Sequence, residues 1–312
     1  MTTDLPRLGV VIVTHGSGDV VGDCLESLLS SDDVALSVVV VDNASRDDTA
    51  DVVGKHTAPA PHALIWRPTG RNGGFAAGVN AGLDILLKDQ GLDRFWVLNP
   101  DTIVPPGTAR AFATHAPSRD FAMIGGRVIY AEPPHAIQID GGTIDWKTGQ
   151  TRNLNQGKPG DTPPPDPDDV DFVTGASLVV SRLFLSRAGK MPEDYFLYYE
   201  EVDWALQAAD LPLLYCTRAV VHHQAGTSIG SPKPGRHASP FSEWFKHRAR
   251  MKFVRRHRRV SYYGAVVFTF AKAMQMFLKR DFRAAEAILR GGLGMRPPKA
   301  VAARLARGGV AL

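Results

Sequence analysis

"LGVVIVTHGSGDVVGDCLESLLSSDDVALSVVVVDNAS", residues 8–45, decides the fold. It opens with a β-branched run, "LGVVIVT", that stops at a Gly/Ser cluster. A run apolar on both faces suits a strand buried on both sides. The following "DVVGDCLESLLSS" sets Val20, Val21, Cys24, Leu25, Leu28 and Leu29 at helical spacing. "ALSVVVVDNAS" is a second buried strand. Two such strands joined by a helix predict a parallel βαβ unit.

The alternation continues outward. "SRDDTADVVGK" predicts a helix with Ser45 as its N-cap, "ALIWRP" a short strand, "GGFAAGVNAGLDILLKD" a helix begun by glycine, and "RFWVLNPD" a fourth strand. The fold class is therefore α/β, a Rossmann-like, mainly parallel sheet flanked by helices. Ligands of such sheets sit beyond the carboxyl ends of the strands. Asp42 and Asn43, then Asn99 and Asp101, fall there.

The middle of the chain is less regular. "AMIGGRVIY", "AIQIDGGTIDW" and "DFVTGASLVVS" read as strands around the Pro/Gly/Asp-rich loop 157–169. "SRLFLSRAG" and "EEVDWALQAAD" read as helices, and "LPLLYC" and "RAVVHH" as two short strands. From Ser239 the pattern is helical. The expected organisation is a catalytic domain over 1–235, with a nucleotide half (about 1–105) and an acceptor half (about 106–235), followed by a basic, amphipathic helical region, 236–312.

Composition is that of a globular protein, with 44% hydrophobic and 22% charged residues. Cys24 and Cys216 have no CxxC or metal spacing, which fits a reducing, cytoplasmic setting. The run "KHRARMKFVRRHRR", 246–259, holds Lys and Arg without an acid; it reads as a solvated basic face or as one that attracts an anionic partner, a phosphate-bearing acceptor or the anionic surface at the inner face of the cytoplasmic membrane. No nucleic-acid motif accompanies it. Lys272 and Gln275 interrupt the apolar stretch 260–278, which reads as a packed, partner-binding or membrane-surface helix rather than a span of about 20 apolar residues. A homodimer through these C-terminal helices is one expectation.

Several residues could do chemistry. Asp42 can accept from a base N–H or a ribose hydroxyl, or cap its own turn. "RNGGFAAGVNAG" offers N–H groups at a helix start but has neither the GxGxxG fingerprint nor a Walker lysine. In "LNPDT", Pro100 breaks the strand and exposes Asp101, a ligand for a hard divalent cation or a turn residue. His223 can serve the same end, while His222 alternates to the opposite face. "YYEEVDW", residues 198–204, gathers Glu200, Glu201 and Asp203 at a helix start. Acids there complement the helix dipole. Packed against the aromatic run before it, one of them can have its pKa raised and act as a general base.

In order and spacing, "VVIVTHGS", "VVVVDNASRDDT", "NGGFAAGVNAG", "VLNPDT", "VTGASLVVSR", "FLYYEEVDWALQA" and "VHHQAGTS" resemble the family 2 glycosyltransferases of GT-A fold, in particular their bacterial rhamnosyltransferase-like branch. The resemblance implies inverting transfer of a sugar, rhamnose from dTDP-rhamnose as best guess, from a dTDP- or UDP-linked donor to a hydroxyl of a glycan or lipid-linked glycan. It implies that Asp42 binds the nucleobase, with Thr14 in the adjoining loop and Asn72 and Gly73 beside the nucleotide. Asn99 and Asp101 stand where the family's Asp-x-Asp motif lies, so Asp101 would carry Mg²⁺ or Mn²⁺, completed by His223. Thr174, Gly175 and Ala176 would line the donor-sugar and acceptor side. Glu201 would be the base, Glu200 its neighbour and Asp203 the rival base. The sequence departs from the family at His15-Gly16, at Asn99 and at Glu201, where relatives carry an aromatic-Asn pair, Asp and Asp. The competing class is a protein that binds a nucleotide sugar on this fold without turning it over.

Overall fold

The computed structural model describes residues 5–208, 210–224, 237–308 and 310. The first half runs β1 (Arg7–Thr14), α1 (Gly18–Leu29), β2 (Ala35–Asp42), α2 (Thr49–Gly54), β3 (Ala63–Pro68), α3 (Phe75–Leu86) and β4 (Arg94–Leu98). It continues through β5 (Thr102–Ile103), α4 (Thr108–Thr114), β6 (Met123–Tyr130), β7 (Ile137–Ile139), β8 (Gly142–Asp145) and β9 (Gln150–Asn153). Then come β10 (Ser177–Ser181), α5 (Arg182–Ala188), α6 (Glu200–Leu206) and β11 (Leu213–His223). The chain closes on α7 (Pro240–His257), α8 (Tyr262–Leu278), α9 (Phe282–Gly292) and α10 (Lys299–Arg307).

The main sheet has the order β3-β2-β1-β4-β10-β6-β11-β5. Its first four strands are parallel, as the doubly buried β1 and β2 require. β10 is antiparallel to both β4 and β6, and so joins the two halves. β3 carries Pro68 at the edge, where a missing N–H costs no ladder bond. The register of β1 on β2 sets Thr14 opposite Asp42. Residues chosen for chemistry thus come to one rim of the sheet.

Several sequence expectations change. α2 starts at Thr49 with Asp48 as N-cap, because the Ser45 hydroxyl is already engaged by Asp42 and by the Gly16 N–H. "LPLLYC" and "RAVVHH" form one strand, β11, with an irregularity between Tyr215 and Val220. "AIQIDGGTIDW" breaks at Gly141, where φ is +105°, into β7 and β8. The short helix α4 and the terminal α10 have too few periodic apolar positions to stand out in sequence.

The basic run 246–259 is not an open surface. His247 and Arg250 are buried inside α7, and Arg250 donates to Thr148 O (2.5 Å), Ala265 O (3.0 Å) and Thr269 Oγ1 (2.6 Å). Lys252 and Arg256 pair with Asp194, and Arg256 also with Asp203. The expectation that this run as a whole faces a membrane is corrected: its cations turn inward to satisfy buried carbonyls and carboxylates, leaving Arg248, Arg255, Arg258 and Arg259 exposed. Met251, Phe253 and Val254 share the core of the sheet domain. Among the described residues no helix is long and apolar enough to cross a membrane.

Candidate active site

At the nucleotide end, the Thr14 hydroxyl donates to Asp42 Oδ1 (3.0 Å) and Ser45 N donates to Asp42 Oδ2 (3.0 Å). Asp42 is buried and its carboxylate is oriented on both oxygens before any ligand arrives. His15 faces the Asn43 carbonyl through Nδ1 (2.8 Å). Asn43 Nδ2 donates to Gly74 O (2.8 Å), and Gly74 N donates to Asn72 Oδ1 (3.0 Å). The end of β2 is thereby tied to the start of α3. Sequence reasoning did not assign Asn43 this tie. The end of α10 also reaches this corner: a Cβ on Gly308 would lie 3.2 Å from His15 Nε2.

Gly74, at φ +92°, links this end to the acidic helix. A Cβ there would lie 2.5 Å from Phe196 O, and Phe75 N donates to that same oxygen (3.0 Å). The loop Phe196–Tyr199 holds three bulky residues in left-handed backbone: Phe196 (φ +68°), Tyr198 (+68°) and Tyr199 (+69°). Each such residue costs about 1–3 kcal/mol. The packing of Tyr199 on Phe253, Phe196 on Phe245, and buried Trp204 on Phe184 offsets this. The strained loop delivers α6, and with it the acids, to the rim of the sheet.

The three acids of α6 have different surroundings. Glu200 is only 3% exposed, and its Oε2 has no hydrogen-bond partner among the described residues. Burial, reinforced by the neighbouring Glu201 charge, pushes its carboxyl well above the ordinary range. Glu201 is partly exposed, and burial raises its carboxyl to about 7, against the pull of its own helix N–H groups and of Lys246. Lys246, read in sequence as the start of a surface patch, instead faces this acid. Burial pushes its ammonium down, with Glu243 and Glu201 opposing. Asp203 is fully enclosed and accepts from Tyr195 Oη, Gln207 Nε2 (3.0 Å) and Arg256 Nη1 (2.6 Å), with His257 Nε2 at 3.1 Å. Burial opposes its ionisation, but these donors outweigh it and hold the carboxyl below the usual range. A carboxylate so enclosed and so fully paired anchors α6 to α7 and has no free path to a substrate proton.

The turn Thr174–Ala176 lies between the two ends. A Cβ on Gly175 would stand 3.9 Å from Glu201 Cβ and 3.3 Å from the Phe75 ring. Asn99 N donates to Ala176 O (3.0 Å), and Thr174 Oγ1 accepts from Ala176 N (3.3 Å). Cys24 is buried with its sulfur 3.6 Å from Asn99 O, and burial pushes its thiol up to about 12, so it supports this turn as an inert packing group.

Beyond the turn, His223 Nε2 lies 3.0 Å from Asp101 Oδ1 and 3.3 Å from the Asn99 side-chain amide. Its Nδ1 is 2.8 Å from Gln138 Oε1. A donor at Nδ1 fixes the tautomer that leaves Nε2 free to ligate. Gln138 is the residue sequence reasoning missed here, since nothing local marks it. His222 points to the other face, against His135. The Gly and Ser of "VHHQAGTS" lie outside the described residues. Among the described residues no group of three or more ionisable ligands forms a cage. Asp101, His223 and the Asn99 amide make a half-set. That donor set fits a hard cation which takes its remaining ligands from phosphate oxygens and water.

Known proteins bear on this geometry. The Glycosyl transferase family 2 model matches residues 9–164, half of the chain. A low-salt glycan biosynthesis hexosyltransferase of Haloferax volcanii is 25% identical over 208 residues, 66% of this chain and 62% of the archaeal protein. The match thus leaves over a third of that protein's length unaccounted for. The N-acetylglucosaminyl-diphospho-decaprenol L-rhamnosyltransferase of Mycobacterium tuberculosis is 29% identical over 268 residues, 74% of this chain and 80% of the relative. Among solved structures, a mannosyltransferase of Pyrobaculum calidifontis in complex with GDP-Man and Mn²⁺ superposes with a TM-score of 0.57 at 18% identity, over 98% of this chain and 80% of that one. GalNAc-T7 with UDP, GalNAc and Mn²⁺ gives 0.54 at 14% identity, over 81% and 48%. At these identities the likeness concerns the fold.

Proposed function

The chain belongs to glycosyl transferase family 2, and from that premise we propose that it is an inverting glycosyltransferase with Glu201 as its general base. The observation that carries this reading is the half-buried Glu201 carboxyl, raised to about 7 and set beside Gly175. A base poised near the working pH combines the ionised form with good proton affinity. Glu201 takes the proton from the acceptor hydroxyl as its oxygen attacks the anomeric carbon, and the bond from that carbon to the diphosphate breaks on the opposite face, releasing the nucleoside diphosphate. Glu200 stays protonated beneath it and keeps a second negative charge out of the site. Asp42 and Thr14 hold the nucleobase and Asn72 and Gly73 the nucleotide. Thr174, Gly175 and Ala176 line the sugar. Asp101 and His223, with Asn99 as a neutral partner, would hold Mg²⁺ or Mn²⁺. When bound, that cation supplies charge neutralisation to the leaving group.

The mycobacterial relative's name supports rhamnose as the sugar and a lipid-linked glycan as the acceptor; the donor nucleotide, dTDP or UDP, is part of the proposal. The competing reading, a nucleotide-sugar binder without turnover, draws on Asn99 in place of a second metal-binding acid. A thermal-shift panel of nucleotide sugars with and without Mn²⁺, followed by donor-turnover assays, separates the two. Cation-dependent stabilisation by one donor together with turnover supports transfer; stabilisation with no turnover on any acceptor supports the binder.

A further inference from the structure

Helix α8 turns small residues inward and large apolar residues outward. Its buried face is Ala265, Thr269, Ala273 and Met276. Its solvent face carries Tyr263 (81% exposed), Val267, Phe270, Met274, Phe277 and Leu278, and Val260 and Phe282 extend the ridge at either end. A surface helix ordinarily turns its large apolar residues inward and its polar ones outward.

The orientation is fixed by contacts on the inner side. A Cβ on Gly292 of α9 would lie 2.4 Å from Thr269 Cγ2, and one on Gly264 would lie 2.2 Å from Lys147 O. Contacts this close leave no room for a large side chain on the inner face. Arg250 adds hydrogen bonds to Ala265 O and Thr269 Oγ1 from beneath. The ridge is therefore a built surface, larger than the scattered apolar residues normal on a protein exterior.

Its rim is cationic. From 259 to 283 the chain carries Arg259, Lys272, Lys279, Arg280 and Arg283 against one acid, Asp281. Asp281 is committed to capping α9 through Ala284 N (3.0 Å). Exposed Arg255 and Arg258 precede the helix, and Arg258 and Val260 line a groove of about 550 Å³ with Trp146 and Lys147. α8 spans 17 residues, about 25 Å of helix, short of the bilayer core.

We propose that the α8 ridge docks this protein on an anionic lipid surface, with the helix lying in the plane of the interface. Apolar side chains enter the headgroup boundary while the flanking cations meet lipid phosphates. A second copy fits the ridge poorly. Antiparallel pairing would set Arg258 and Arg259 against Lys279 and Arg280, parallel pairing would set each cluster against itself, and Asp281 is already engaged. Anionic headgroups neutralise both ends at once.

The test is cosedimentation of the full chain with phosphatidylcholine vesicles, with and without phosphatidylglycerol. It requires no sugar substrate, so its result stands apart from the glycosyltransfer reading. The wild type should bind the anionic vesicles about tenfold or more tightly than the neutral ones. The pair Phe270→Glu and Phe277→Glu should weaken that binding about tenfold or more. Lys279→Ser and Arg280→Ser should each weaken it about fivefold at low salt. Both phenylalanines are exposed, so circular dichroism melts should coincide with wild type; if the glutamate pair does not fold, Val267→Ser with Phe277→Ser replaces it. Absence of binding to anionic vesicles, equal binding to both vesicle types, or undiminished binding by the ridge variants overturns the proposal. So does a dimer that the ridge variants dissociate without any vesicle binding, which would assign the face to a second copy.

Discussion

The two ends of the site treat a buried carboxylate in opposite ways. Asp42 accepts from Thr14 and Ser45 on well-formed backbone. Glu200 and Glu201 follow three strained positions within four residues, and Glu200 Oε2 has no hydrogen-bond partner among the described residues. The contrast teaches where each kind of work is placed. A group that recognises a ligand is best held oriented beforehand. A group that moves a proton must find its charge costly, or it would not take the proton up. Asp203, on the same helix, shows that sequence position alone does not decide this: its donors hold its carboxyl below the usual range and tie it to α7.

The comparison can be broken most directly at Glu201. Glu201→Gln should lower kcat by about 10²–10⁴-fold while leaving donor-induced thermal stabilisation intact. Turnover at the wild-type rate would move the base elsewhere. Asp203→Asn should instead cost about 3 kcal/mol of stability, at the low end for a broken buried pair because Arg256 is partly exposed. Chemical denaturation measures it, and a loss of turnover without a loss of stability would return Asp203 to the list of candidate bases. Gln138→Leu should raise the half-saturating Mn²⁺ concentration for donor binding by about 10–100-fold by releasing the His223 ring. An unchanged Mn²⁺ titration would remove His223 from the cation site.

The pH dependence sharpens the same contrast. A base ionising at about 7 predicts kcat/KM rising with pH through about 7 on the acid limb. For stability the sign runs the other way. Glu201 binds its proton more tightly folded (about 7) than unfolded (4.5), so stability is fullest below about 4.5 and falls as pH rises through about 7. Glu200 acts in the same direction. Glu200→Gln should therefore flatten the melting temperature across this window, the smallest of these effects. A variant with the wild-type slope would mean that Glu200 is not a source of the pH dependence.

Period and order along the chain were enough for much of this. The doubly apolar runs of β1 and β2 imply a parallel sheet because strands buried on both faces have no polar side to show. Their carboxyl ends then carry Asp42 and Asn99–Asp101 to one rim. The expected Ser45 cap failed because a hydroxyl can bond across the loop as readily as to its own helix. Gln138 and Lys246 were illegible as site residues: one lies far along the chain from His223 and the other sat inside a run that looked like a solvated basic face.

The sequence by itself determined which strands are buried, the order of the motifs and the types of residue at the rim, because these follow from local periodicity and backbone chemistry. Only the tertiary structure decided which of three adjacent acids is desolvated, which is neutralised by α7, and which face of α8 is left outward. Those outcomes depend on partners distant in sequence, and burial and charge pairing are properties of the assembled neighbourhood.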